Sequence, residues 1–126
     1  MRLMLLAALG GAVGSVARYL AVSTGAKLFG TAFPWGTFGV NVAGSFTIGV
    51  FMAMIIYWLG GSNEWRVLLV TGFLGGFTTF SAFSYELMQL VERQALIGAA
   101  GYAVGSVVIS LLACFAGFAL IKAIAA

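Results

Sequence analysis

The chain has 126 residues, of which 63% are hydrophobic and 7% are charged, and it contains no histidine. So few charged side chains cannot form a solvated surface, and the composition therefore excludes a soluble fold. The net charge of +3 is spread over loops and chain ends rather than gathered into a basic patch. Nucleic acid is therefore not an expected partner. The expected surroundings are a lipid bilayer.

The few charges divide the sequence into four apolar stretches, and each is close to the length of about 20 residues that spans a hydrocarbon core. We predict an all-α membrane protein with one transmembrane domain over residues 1–126. The predicted helices cover about residues 3–26, 36–60, 67–86 and 95–122. The connections between them are too short for an extramembrane domain. Arg2 followed by an apolar run also fits a secretory signal, whose removal would leave three spans.

Positive charges are divided almost evenly between the two membrane sides. They are Arg2, Arg66 and Lys122 on the side of the termini, and Lys27, Arg93 and an outward-reaching Arg18 on the other side. Orientation normally follows an excess of Lys and Arg on the cytoplasmic side, so this sequence hardly selects one. We therefore predict a dual-topology homodimer of antiparallel copies. The alternative is a single orientation set by lipids or by the insertion machinery.

The third span contains an unusual stretch, GFLGGFTTFS, from Gly72 to Ser81. Three glycines and two β-branched threonines disfavour a regular helix, so we expect the third helix to break near its middle. In hydrocarbon, a break frees carbonyls that water cannot satisfy, and a cation or neighbouring donors must take its place. A buried cation site at about Gly75 to Thr79 is therefore expected. The alternative is an intact helix with a glycine face for close packing.

Two stripes of neutral polar side chains are predicted, because residues four apart share a helix face. The second span places Thr37, Asn41 and Ser45 at this spacing, and the fourth places Tyr102, Ser106, Ser110 and Cys114 likewise. Such side chains donate hydrogen bonds without bearing charge, which is what a small anion requires once its hydration shell is removed. Ordinary hydrogen bonding between helices is the alternative role.

Phe80 and Phe83 lie three residues apart on one face of the third span, with Ser81 and Ser84 on the adjoining face. The edges of aromatic rings carry partial positive charge, so the pair is suited to edge-on contact with a compact anion. Apolar packing is the alternative explanation for the two rings. The sequence therefore indicates a second set of groups compatible with an anion path.

Arg18 and Glu86 are expected near the same membrane surface, because the first and third predicted helices end there. Charges at such depth usually have partners or line water-filled vestibules. A structural ion pair and a role in attracting ions at a pore mouth both fit this placement.

Three motifs resemble those of the Fluc (CrcB) family of bacterial fluoride channels, and the resemblance covers the whole chain. They are GGAVGSVARY from Gly10 to Tyr19, GTFGVNVAGSF from Gly36 to Phe46, and GFLGGFTTFSAFSYE from Gly72 to Glu86. The third motif is long and specific. The resemblance implies an antiparallel dimer with two pores, multi-pass in a bacterial inner membrane, that exports fluoride passively.

The resemblance also implies roles for individual residues. Phe80 and Phe83 would line the fluoride path, and Asn41 would donate to fluoride beside them. The backbone carbonyls of Gly75 and Thr78 would hold a structural Na⁺ at the dimer centre. Further positions on the polar path would be Ser110, Ser106, Tyr102 and Thr37. One departure is visible, because family members commonly read TFSTFS where this chain reads TFSAFS, with Ala82 in place of a threonine.

The sequence bears on three functions other than passive anion conduction. A proton-coupled exporter of organic cations shares the plan of four helices and dual topology, but it needs a protonatable group within the bilayer, typically a carboxylate. A noncatalytic subunit that packs beside a larger partner through its glycine faces is compatible with the sequence. An enzyme is not expected, because without His or Asp and with a single mid-span Cys the chain offers no acid–base or nucleophilic set.

Overall fold

A computed structural model describes residues 1–126, and the regular structure in it is entirely helical. Five helical segments follow one another: α1 (Arg2–Phe29), α2 (Trp35–Tyr57), α3 (63–77), α4 (Ser81–Glu92) and α5 (Leu96–Ala125). The third span, Asn63–Glu92, consists of α3 and α4 together, and four spans are long and apolar enough to cross a membrane. The predicted fold of four transmembrane helices is confirmed.

Two helix ends differ from the sequence prediction. The second helix ends at Tyr57 rather than at residue 60, because Gly60 and Gly61 adopt left-handed backbone angles with φ of 65° and 72°. The third span does not stop at Glu86 but continues to Glu92. The sequence prediction places a helix end at the charge of Glu86. In the structure this carboxylate lies within the helix, because it accepts hydrogen bonds from hydroxyl groups of neighbouring helices.

The third span is irregular over its first half and broken in the middle. Its main part, Arg66–Leu74, is a π-helix, which a single α-helical turn at Gly75–Phe77 continues. Thr78 then takes an extended conformation with φ of −83° and ψ of 158°, and α4 begins at Ser81. The predicted break is therefore confirmed, and it lies at residues 78–80, just after the glycines. The π-helix was not predicted, because it leaves no distinctive pattern in a short apolar sequence.

The glycines of α3 pack against α1, so the glycine face that was the alternative to a break coexists with the break. A Cβ atom added to Gly72 would lie 3.0 Å from the Cα of Gly10, and one added to Gly76 would lie 3.0 Å from the amide nitrogen of Ser15. Such close backbone contact is the usual basis of helix association in lipid. The π-helix and its following turn are therefore held against α1 along their length.

The fourth span packs mainly against α2, again through glycines. A Cβ atom on Gly49 would lie 2.8 Å from the amide nitrogen of Phe118, and one on Gly117 would overlap the carbonyl of Phe46. A small apolar core, formed by the buried residues Phe83, Leu90, Ala99 and Tyr102, lies between α4 and α5. This arrangement places the polar stripes of α2 and α5 next to the break in the third span.

Candidate functional site

A groove of about 540 Å³ runs beside the break in the third span. Residues of α2, α3, α4 and α5 line it, and no charged side chain is among them. The predicted site residues that lie in this groove are Asn41, Gly75, Thr78, Phe80, Phe83, Ser106 and Ser110. Ser45 and Cys114, the remaining members of the stripes on this side, lie there too. The fold thus brings together most of the residues that the sequence indicated.

Asn41 holds the backbone of the break. Its side-chain nitrogen Nδ2 donates to the carbonyl of Thr79 at 2.9 Å, and its Oδ1 accepts from the N–H of Thr79 at 2.8 Å. These two bonds satisfy both backbone groups of a residue that has left the helical ladder. Asn41 was predicted as a donor to an anion, and the structure adds a second role for it, as the brace that fixes the break from α2.

The break leaves two carbonyls without the partners of a continuous helix. The N–H of Thr79, which would reach the carbonyl of Gly75, donates to Asn41 instead. The N–H of Ala82, which would reach the carbonyl of Thr78, donates to the Oγ1 atom of Thr79 at 3.1 Å. Free carbonyls of this kind are the groups that coordinate cations in discontinuous membrane helices. No cluster of His, Cys, Asp or Glu side chains offers a different metal site.

Ser106 and Ser110 are the buried hydroxyl residues of the groove that lack a hydrogen-bond partner within the chain. Their Oγ atoms are buried and have no hydrogen-bond partner within the chain. Both lie on α5, four residues apart, so their hydroxyl groups follow one helix face along the groove. An unpaired hydroxyl group removed from water is costly, and each is free to donate a proton into the groove.

The two phenylalanines of the third span differ in their surroundings. Their ring centroids are 5.5 Å apart with an interplanar angle of 45°. Phe83 is 7% exposed and packs in the core cluster, whereas Phe80 is 77% exposed at the groove surface. The pair therefore presents one fixed ring and one accessible ring to the groove, and the accessible ring lies at the end of the break itself.

A second cavity of about 440 Å³ lies on the far side of the break. It contains four further residues predicted for the site, which are Arg18, Thr37, Ser81 and Glu86. Ala82, the position of the visible departure, lines this cavity as well. Thr79 lines both cavities, so the broken segment forms the wall between them. Arg18 and Glu86 share the cavity but form no ion pair, and the only ion pair in the chain joins Arg2 and Glu64.

Glu86 connects the two polar stripes. Its Oε1 accepts from the Thr37 hydroxyl at 2.7 Å, and its Oε2 accepts from the Tyr102 hydroxyl at 3.5 Å. Thr37 and Tyr102 are 1% and 0% exposed, so both hydroxyl groups are aimed into the protein. The stripe of α2 and the stripe of α5 therefore converge on one carboxylate at this end of the site.

The structure places one predicted residue, Ser84, outside both cavities and shows one feature that the sequence analysis missed. Ser84 was predicted on the path, but it is exposed, its hydroxyl donates to the carbonyl of Phe80 at 2.9 Å, and it lines neither cavity. The missed feature is Thr79, whose backbone binds Asn41 and whose hydroxyl accepts from the N–H of Ala82. Its position two residues before α4 begins was the available signal, because Thr side chains commonly accept hydrogen bonds from the first N–H groups of a helix.

The fold and the site define a multi-pass membrane protein with an uncharged polar groove at a broken helix. A family model described as CrcB-like protein, Camphor Resistance (CrcB), matches residues 5–118. The chain belongs to this family.

Several curated relatives have similar sequences over nearly their full length. A protein of Rhizobium etli is 50% identical over 95% of this chain and 96% of the relative. A protein of Rhizobium leguminosarum bv. trifolii is 50% identical over 96% of this chain and 97% of the relative, and one of Agrobacterium fabrum is 51% identical over 91% and 92%. Each of these relatives is named fluoride-specific ion channel FluC. Four spans and these relatives identify the chain as a multi-pass protein of a bacterial inner membrane.

Proposed function

We propose that this protein is a fluoride-selective ion channel that exports fluoride passively across the membrane. The observation that carries the proposal is the pair of buried, unpartnered hydroxyl groups of Ser106 and Ser110 in an uncharged groove. Donors that lack acceptors inside a membrane protein are matched by a small anion. The relatives named as fluoride-specific channels fit this reading of the groove.

The chemistry of the groove suits an ion that must leave water without meeting a fixed opposite charge. Hydroxyl groups of α5 replace hydration on one side, and the edges of Phe80 and Phe83 supply partial positive charge on the other. Neutral donors bind an anion less tightly than an ammonium or guanidinium group would, so the ion is able to leave again. Conduction requires this combination of entry and release.

Asn41 keeps one N–H of its Nδ2 for the groove while the other binds Thr79. Its position on the wall of the groove allows that second N–H to meet the ion beside the phenyl rings. We therefore assign it both roles, as a donor to fluoride and as the brace of the break. Thr37, Tyr102 and Glu86 continue the path beyond the break, where Arg18 lines the second cavity and favours anion entry.

A proton-coupled exporter of organic cations is not favoured. Such coupling needs a carboxylate at the substrate site, but no carboxylate lines the main groove. The nearest one, Glu86, accepts hydrogen bonds from two buried hydroxyl groups on the other side of the break. The protein is a channel and not an enzyme.

A structural Na⁺ at the break is a further part of the proposal. The carbonyls of Gly75 and Thr78 would hold it, because the N–H groups that a continuous helix would offer them are bound to Asn41 and Thr79 instead. Carbonyl oxygens at unwound helix segments are suitable ligands for Na⁺. The cation would neutralise the exposed carbonyl dipoles and keep the two halves of the third span in register.

The proposed assembly is an antiparallel homodimer of dual topology. Two observations support it: the near balance of positive charges between the membrane sides, and the large exposure of the Phe80 ring, which is 77% exposed at the groove surface. A second copy would cover this open side and bring two broken segments together around the Na⁺.

The direct test of function is fluoride efflux from liposomes that contain the purified protein, because a passive channel releases fluoride without any proton gradient.

A further inference from the structure

We propose that Phe33, in the loop between α1 and α2, is a positioning residue that holds Tyr102 in place at the Glu86 end of the fluoride path. The loop covers residues 30–34 and lies outside every motif that indicated the function. The inference rests on the proposed function, because its effect is read in the rate of fluoride conduction. It assigns a role in conduction to a residue that the ion does not touch.

A continuous series of aromatic contacts runs from the groove to this loop. The ring of Phe80 lies 5.5 Å from that of Phe83, which lies 4.9 Å from that of Tyr102, which in turn lies 5.3 Å from that of Phe33. The ring of Phe33 meets that of Tyr102 at 75°, the edge-to-face arrangement that aromatic pairs prefer. Phe33 is therefore in direct contact with a path residue, although it lies in a loop.

The position of the Tyr102 ring controls a weak hydrogen bond. Its hydroxyl donates to Glu86 at 3.5 Å, which is the long limit for such a bond, so a small displacement of the ring breaks it. The side chain is fully buried, and aromatic contacts with Phe83 and Phe33 fix its ring. Without Phe33, the contact with Phe83 would be the one aromatic contact left, and the ring would gain freedom on the side of the loop.

The loop that carries Phe33 is itself tied to the third span. The guanidinium group of Arg93, just after α4, donates to the carbonyl of Ala32 at 3.2 Å. The N–H of Trp35 donates to the carbonyl of Phe33 at 2.9 Å, and the centroids of the two rings lie 4.6 Å apart with an interplanar angle of 49°. These contacts hold the loop from the start of α2 and from the end of α4, and so restrict the ring of Phe33 beside Tyr102.

The loop also closes a third cavity that reaches the path. This cavity has a volume of about 200 Å³, and its lining includes Phe33, Arg93, Thr37 and Glu86. It shares Thr37 and Glu86 with the second cavity, so the loop lies directly over the carboxylate on which both polar stripes converge. Loss of the Phe33 ring would therefore loosen the wall of the path at this point.

The test is a comparison of fluoride efflux rates from liposomes for full-length variants. Phe33→Leu removes the ring, and we expect it to lower the rate about three- to tenfold, the range that corresponds to loss of an aromatic pair. Phe33→Tyr retains the ring, and we expect a rate within about twofold of the unmodified protein. Phe29→Leu is the matched control, because Phe29 is 66% exposed and its one aromatic contact is with Trp35 rather than with Tyr102. Its rate should be unchanged.

A double-mutant cycle with Tyr102→Phe separates positioning from a general packing effect. If Phe33 acts through the Tyr102 hydroxyl, Phe33→Leu has less than about a twofold further effect when that hydroxyl is already absent. An equal loss in both backgrounds would overturn the inference, as would normal conduction by Phe33→Leu. If Phe33→Leu does not fold, Arg93→Gln releases the loop from outside, and a normal rate for that variant would also overturn it. Absence of flux from the unmodified protein would instead refute the proposed function itself.

Discussion

The side-chain amide of Asn41 and the backbone of Thr79 exchange two hydrogen bonds, of 2.9 and 2.8 Å, between residues 38 positions apart in the chain. Through this pair, α2 supplies both partners that Thr79 loses where the third span leaves the helical ladder. The same exchange withholds the N–H of Thr79 from the carbonyl of Gly75. One side chain therefore stabilises the break and also leaves free a carbonyl that is suited to a cation.

Replacement of Asn41 by Ala should destabilise the protein. It would leave the N–H and the carbonyl of Thr79 without partners, which together should lower the free energy of unfolding by about 2–5 kcal/mol. Ser45→Ala is the matched control, because Ser45 lines the same groove one turn along α2 and takes no part in the exchange. Thermal unfolding in detergent measures the difference. Equal midpoints for the two variants would show that the amide is not needed to hold the break.

Removal of a path hydroxyl should lower conduction and leave stability intact. The Oγ atoms of Ser106 and Ser110 make no hydrogen bond within the chain, so Ser110→Ala loses no stabilising contact and removes a buried unpaired group. We expect an unfolding midpoint equal to or above that of the unmodified protein, together with a fluoride efflux rate lower by about tenfold, which corresponds to one hydrogen bond to a charged ion. The control is Thr47→Ala, whose hydroxyl bonds only within α2. A stable variant with normal flux would remove Ser110 from the path.

Sodium should stabilise the protein through backbone carbonyls. Exchange of NaCl for the chloride of a large organic cation should lower the unfolding midpoint by on the order of 5 °C, as for loss of any ligand that binds only the folded state. Thr78→Val should retain this sodium dependence, because it removes a hydroxyl that donates to the carbonyl of Leu74 and leaves the carbonyl of Thr78 in place. Identical midpoints in both salts would contradict the proposed sodium site.

Dual topology should be visible in vivo. A C-terminal reporter on the unmodified chain should give signal on both sides of the membrane, because the positive charges are nearly balanced. Lys27→Glu and Lys122→Glu should bias the orientation in opposite directions. Each variant alone should then lose most fluoride efflux from cells, and their co-expression should restore it. A one-sided signal from the unmodified chain would contradict the antiparallel assembly.

Much of the fold was predictable because composition alone limits what this chain can form. The four spans follow from the spacing of charges, and the break follows from the run of glycines and threonines after Gly72. The exact site of the break was not predictable, because the glycines are accommodated in helical turns against α1 while Thr78 leaves the helix. That choice depends on the amide of Asn41, which belongs to a different span.

The candidate site was predicted where helical spacing decides it and missed where tertiary contact decides it. The stripes containing Asn41 and Ser110 were predicted, because residues four apart share a face. Ser84 lies outside both cavities, and its hydroxyl donates to the carbonyl of Phe80, a local hydrogen bond that spacing does not reveal. The contact between Phe33 and Tyr102 was not predictable, because a loop residue carries no periodic signal and only the folded chain brings the two rings together.

The most direct test of the central claim is the rate of fluoride efflux from liposomes loaded with potassium fluoride, measured with a fluoride electrode after potassium permeability is supplied. The unmodified protein should release fluoride far faster than empty liposomes, retain chloride, and act without a proton gradient. Phe80→Ile should slow release by about tenfold through loss of the ring edge, whereas Phe115→Ile, at a ring 74% exposed outside the groove, should not. Fluoride release no faster than from empty liposomes, or release that requires a proton gradient, would contradict the account.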